Sequence, residues 1–150
     1  MKVHYLALLL VVGAALFVPA VSAKIVDEKN GYIVTSGDNT IRMPEIPALA
    51  TTSISQGQTV YYSTSVPSGK TAFYTDLNWG TPANSLSLTI YTPDASVLGP
   101  YYDAADGRTD GRINLKISKS GGLPSGTWSS KVYGYRISGS QSYSHSASAG

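Results

Sequence analysis

The chain has 150 residues, no cysteine, two histidines and a formal net charge of +2, with only 13% charged residues. The missing thiols exclude disulfide staples, cysteine–zinc sites and thiol chemistry, and a near-balanced charge without a basic run argues against nucleic acid as a partner. A chain of this length fits one domain.

At the N-terminus, Lys2 precedes an apolar run over residues 6–18, followed by Val21-Ser22-Ala23. A positive start, a short apolar stretch and small residues before a cut are the layout of a secretory signal peptide. The run is shorter than the roughly 20 residues that a spanning helix needs. Cleavage after Ala23 is therefore expected, so residues 1–23 are a signal peptide and the product is secreted, extracellular or cell-surface associated, without a membrane span. Residues 24–50 read as a leader. Gly31-Tyr32-Ile33-Val34-Thr35 is a short strand, Ser36-Gly37-Asp38-Asn39 a turn, and Thr40-Ile41-Arg42-Met43 a second strand that pairs back. Pro44 and Pro47 then interrupt, leaving an extended linker. The leader either covers one edge of the domain or exchanges with a neighbouring molecule.

From residue 51 the pattern tightens. Val60, Tyr62, Thr64 and Val66 share one face of a strand, and Phe73, Thr75, Leu77 and Trp79 share a face of the next. The clearest stretch is Ser85-Leu86-Ser87-Leu88-Thr89-Ile90-Tyr91, in which small hydroxyl residues alternate with large apolar ones. This period of two predicts a strand with Leu86, Leu88 and Ile90 on the dry face and Ser85, Ser87, Thr89 and Tyr91 on the wet one. A short return strand is expected over residues 95–98. Ile113, Leu115 and Ile117 point inward from another strand, as do Trp128 and Val132 from a longer one that Gly134 bends or bulges. A last strand covers residues 141–146, and the small polar tail at 148–150 is expected to fray. The count is seven or eight strands, with helix formers scarce. The fold class is all-β: an antiparallel two-sheet β-sandwich, jelly-roll-like, over residues 51–147.

Several of these segments resemble the pre-peptidase C-terminal (PPC) domain. They are Gln58-Thr59-Val60-Tyr61-Tyr62-Ser63, then Val66-Pro67-Ser68-Gly69, then the strand ending at Trp79. The resemblance continues through Leu86-Ser87-Leu88-Thr89-Ile90-Tyr91-Thr92-Pro93-Asp94, Leu123-Pro124-Ser125-Gly126-Thr127-Trp128 and Lys131-Val132-Tyr133-Gly134-Tyr135. It covers residues 53–146. Domains of that family are non-catalytic β-sandwiches, usually appended to secreted peptidases. Some bind calcium and some bind a protein or polysaccharide surface. The resemblance therefore implies a secreted accessory or surface-binding module whose partner is an extracellular protein or polysaccharide. Where the family often has aspartates in its Asp-Leu-Asp-Leu strand, this chain has Ser85 and Ser87.

Two constellations stand out. Asp103, Asp106 and Asp110, with Gly107 and Gly111, supply hard oxygens on a loop that can turn sharply, as calcium requires. The same loop also reads as a solvated turn held by pairs with Arg108 and Arg112. The second constellation is tyrosine: Tyr61, Tyr74, Tyr91, Tyr101 and Tyr102 are the expected binding surface, with Tyr133, Tyr135 and Tyr143 beyond them. Such residues either form an exposed aromatic row or pair across strands inside the sheet. Trp79 and Trp128 fall on core registers. For catalysis the inventory is poor. His145 sits among serines and reads as solvated, and no Gly-x-Ser-x-Gly elbow or phosphate loop is present, so no enzyme is expected. An alternative is a structural subunit of a cell-surface layer or filament that self-associates through its N-terminal strand.

Overall fold

A computed structural model describes residues 23–37 and 52–150. The apolar run at 6–18, the strand expected at 40–43 and the Pro44–Pro47 linker lie outside them. Among the described residues ten strands form: β1 (Ile25–Lys29), β2 (Tyr32–Ser36), β3 (Thr52–Ser55), β4 (Thr59–Val66), β5 (Ala72–Asn78), β6 (Ser85–Tyr91), β7 (Val97–Tyr101), β8 (Arg112–Lys119), β9 (Gly126–Arg136) and β10 (Ser140–Ala149). One 3₁₀ turn among the described residues, Asp103–Asp106, joins β7 to β8. The strands make two antiparallel sheets, one ordered β1-β2-β8-β5-β10-β3 and the other β4-β9-β6-β7. The all-β, two-sheet reading of the sequence is what is observed. Among the described residues no helix is long and apolar enough to cross a membrane.

The alternation of each strand decides what lies between the sheets. Phe73 and Leu77 of β5 and Ile113, Leu115 and Ile117 of β8 meet Leu86, Leu88 and Ile90 of β6 and Trp128 and Val132 of β9 in one buried core. Trp79 and Trp128 are both buried, as their registers predict. Trp128 stacks on Phe73 at 4.6 Å between ring centroids and meets the edge of Tyr32 at 5.9 Å, so one indole joins the four-stranded sheet to two strands of the other.

The N-terminal hairpin is not the one expected. β2 pairs back with β1 through Asn30-Gly31, both at positive φ, and pairs on its other side with β8 of the same chain. β1 escaped the sequence reading because Asp27-Glu28-Lys29 is charged, a composition typical of an edge strand. The hairpin is bolted to the opposite sheet by Asp94, in the turn after β6. Its carboxylate accepts Tyr32 Oη at 2.8 Å and Lys119 Nζ at 2.6 Å. Lys119 and then Thr92 hold the Asp94 carboxyl well below the usual range.

The C-terminus also differs from expectation. It does not fray: β10 runs to Ala149, and Gly150 accepts the N–H groups of Thr71 and Ala72 while donating to Ala72. Gly134 does mark a bulge. Ser85 opposes Arg136 and Leu86 opposes Gly134, leaving Tyr135 as the extra residue. A side chain at Gly134 would meet Ser55 O at 2.3 Å, since the turn after β3 crosses there.

Candidate functional site

In an antiparallel sheet, directly opposed residues point to the same face. The register of the four-stranded sheet therefore assembles its outer surface. Lys131 of β9 stands opposite Tyr61 of β4 on one side and Thr89 of β6 on the other. Tyr133 stands between Thr59 and Ser87, and Tyr91 between Ser129 and Val97. Tyr135 lies further along β9, and its ring packs against Tyr102 with centroids 4.8 Å apart. Tyr61 is 60% exposed, Tyr135 44% and Tyr102 38%, while Tyr91 and Tyr133 are half-buried. Five tyrosines thus share one face, separated by serine and threonine. Lys131 Nζ lies 5.8 Å from the centre of the Tyr133 ring and the Arg136 guanidinium 5.9 Å from that of Tyr135.

Three of the five expected surface tyrosines, Tyr61, Tyr91 and Tyr102, are on this face. Two are not. Tyr74 is on β5, in the other sheet, beside Lys116. Tyr101 is buried and donates its hydroxyl to Asp27 at 3.0 Å. Burial, then the Asp27 charge, raises its pKa. The reason is register: Tyr101 opposes the inward Leu88, after an irregularity between Leu88 and Ile90 that resets the alternation of β7. Lys131 and Arg136 had no signal in the sequence beyond lying among the tyrosines of β9.

In the aspartate loop two carboxylates cap backbone donors. Asp103 is buried, and its carboxylate accepts the backbone N–H groups of Asp110, Gly111 and Arg112 at 3.0–3.2 Å. Asp106 accepts those of Arg108 and Asn114. Its carboxyl pKa is raised, chiefly by burial. Among the described residues no group of three or more His, Asp or Glu side chains is placed to hold a metal ion. Arg112 Nε bonds Asp76 at 2.7 Å, with Nη2 on the second oxygen at 3.0 Å. Its charge also lies near the loop aspartates, since Asp110 and Asp106 add to Asp76 in raising its pKa.

His145 is not a solvated tail residue. It faces inward from β10, stacked on Tyr62 at 4.6 Å, with Nε2 and Thr75 Oγ1 3.3 Å apart. The Tyr62 and Tyr143 hydroxyls bond each other at 2.7 Å beside it. Burial pushes the imidazole pKa down to about 4, with Asp76 opposing weakly. The ring is therefore neutral at pH 7, and it ties β4 to β10 across the sandwich. Its folded pKa lies below its unfolded value of about 6.5, so the unfolded state binds the proton first. Stability is intact above about pH 6.5 and falls as the pH drops towards 4. The loss expected by pH 4 is on the order of 2–3 kcal/mol. Urea titrations of the protein and of His145→Gln at several pH values test this; an equal slope in both between pH 6.5 and 4 would refute it.

An open depression of about 520 Å³ lies between β1 and β7, lined in part by Val26, Asp27, Pro100 and Tyr101. Its one carboxylate, Asp27, is the group already bonded to Tyr101. Compared with known proteins, the chain matches no family model and no curated protein.

Proposed function

We propose that the chain is a secreted, non-catalytic accessory module that binds an extracellular protein or polysaccharide surface through the outer face of its four-stranded sheet. The observation that carries this reading is the gathering of Tyr61, Tyr91, Tyr102, Tyr133 and Tyr135 on one face. Tyrosine supplies large, rigid contact area with a polar tip, and contiguous exposed aromatic surface marks recognition sites. The signal-like N-terminus and the PPC-like order of turns and strands agree with it. Retention of the secreted chain by a cell-envelope fraction tests the reading. Tyr61→Ser with Tyr102→Ser should weaken retention by about tenfold or more, since truncated aromatic anchors cost over 1 kcal/mol each. Undiminished retention of the double variant, or hydrolysis of peptides or glycosides by the pure protein, would sink it.

A second reading, a surface-layer or filament subunit, draws on β2. Among the described residues its backbone ladder to the sandwich is with β8, so the β2 of a neighbour can make the same ladder. Folding back has the higher effective concentration. Mass measurement at high protein concentration separates the two: polymer supports the subunit, and monomer throughout removes it.

A further inference from the structure

The tyrosine face has a charge pattern that the aromatic rings alone do not explain. β4, β6, β7 and β9 contain no aspartate and no glutamate. Their cations are Lys131 and Arg136, both on β9 beside the tyrosines. Neither takes part in an ion pair among the described residues, whereas Arg112 and Lys119 of the other sheet are both paired, to Asp76 and Asp94. The described carboxylates lie on β1, on β5 and in the loops flanking β7. Between the rings lie the hydroxyls of Thr59, Ser63 and Ser129, with Ser87 and Thr89 buried under Tyr133 and Lys131, and Val97 is the aliphatic group on the face.

We propose that this face binds an acidic polysaccharide, one whose sugar residues carry carboxylate or sulfate groups. The proposal rests on the binding-module reading above and names its ligand class. Tyrosine rings offer flat apolar surfaces to the C–H faces of pyranose rings. Thr59, Ser63 and Ser129 between them can hydrogen-bond sugar hydroxyls as donors and as acceptors. Lys131, set centrally between Tyr61 and Thr89, and Arg136 next to Tyr135 supply the countercharge for an anionic group. Among the described residues, no carboxylate of the four strands repels it. A protein partner fits less well, because protein interfaces centre on desolvated apolar cores from which lysine and serine are depleted. Here Lys131 and Ser129 stand on the same inner strand as Tyr133 and Tyr135.

The test is affinity electrophoresis of the secreted chain in gels containing polygalacturonate, chondroitin sulfate or alginate, against fully methyl-esterified polygalacturonate as the uncharged match. Retardation by at least one polyanion, weakening with added salt and absent for the ester, is the expected result. Lys131→Gln should weaken that binding at least about threefold at low salt, the scale of one exposed ionic contact. Its thermal melt, compared with that of the parent, shows that the variant is folded. Equal retardation by the polyanion and its ester would overturn the acidic class while leaving the binding module in place. No retardation by any polysaccharide, with envelope retention still lost in the tyrosine variants, would overturn the inference in favour of a protein partner. Loss of envelope retention altogether is a failure of the module reading itself.

Discussion

Trp128→Ala is expected to lower the free energy of unfolding by about 3–5 kcal/mol, the range for truncating a fully buried aromatic. This is a large part of the 5–15 kcal/mol that typically separates folded from unfolded. The indole is fully buried. Among the described residues it is the one side chain that packs on an aromatic ring from β5 and another from β2, with centroids 4.6 and 5.9 Å away. Its Nε1 donates to Pro124 O at 3.1 Å, so the turn before β9 is fixed by the same group. Alanine leaves a cavity between sheets whose backbones are held by their own ladders and cannot collapse into it. Urea unfolding measures the loss. A cost below about 1 kcal/mol would show that the sheets are held elsewhere. Tyr61→Ala, on the outer face, is the control, expected to stay within about 0.5 kcal/mol as surface changes usually do. That contrast is what allows the tyrosine variants to report on binding rather than folding.

Strand parity was legible in the sequence wherever large apolar residues alternate. In β6 the inward set Leu86, Leu88 and Ile90 is as read. Yet Ser87 and Thr89, on the other face, are buried too. Alternation along one strand says which residues share a face; it does not say what neighbouring strands place there. β6 lies between β9 and β7, with Tyr133 opposite Ser87 and Lys131 opposite Thr89. The same gap explains the site. The tyrosines were visible, but their sorting into one face, the other sheet and the core depended on pairing between strands distant in sequence. The strand at 141–146 is where the sequence places it, but its buried face is hidden for another reason. Gln141, Tyr143 and His145 do alternate with Ser142 and Ser144, and all three are buried. A polar composition disguised the period, because the core there contains a histidine and two tyrosine hydroxyls that satisfy one another rather than aliphatic chains. The aspartate loop was recognised as special, but composition alone cannot distinguish oxygens that wait for a cation from oxygens that cap backbone donors.

Asp103→Ala separates those two roles, and its expected cost is about 3–5 kcal/mol. Three backbone N–H groups, of Asp110, Gly111 and Arg112, converge on this carboxylate. A hydrogen bond to a charged group contributes about 1.5–3 kcal/mol, and a buried donor left without a partner costs about 1–3. Water can reach exposed Asp110 but not buried Gly111. Gly111 has no freedom to turn elsewhere. It sits at φ 76°, and its carbonyl accepts the N–H groups of Trp79 and Gly80. A side chain at Gly111 would lie 2.5 Å from Thr81 N. Removing the carboxylate therefore loosens the start of β8 and, through Gly111, the segment that seats Trp79 in the core. Asp103→Asn keeps one acceptor oxygen for the three donors and should lose less than the alanine variant. Thermal melts of the parent and both variants, each in chelator and in millimolar calcium, read the outcome. If the loop is a backbone cap, the variants melt in the order parent, asparagine, alanine, and calcium moves none of them. A rise in the parent's melting temperature with calcium that Asp103→Ala abolishes would instead establish the aspartates as ligands, by the mass-action stabilisation that a bound ion confers.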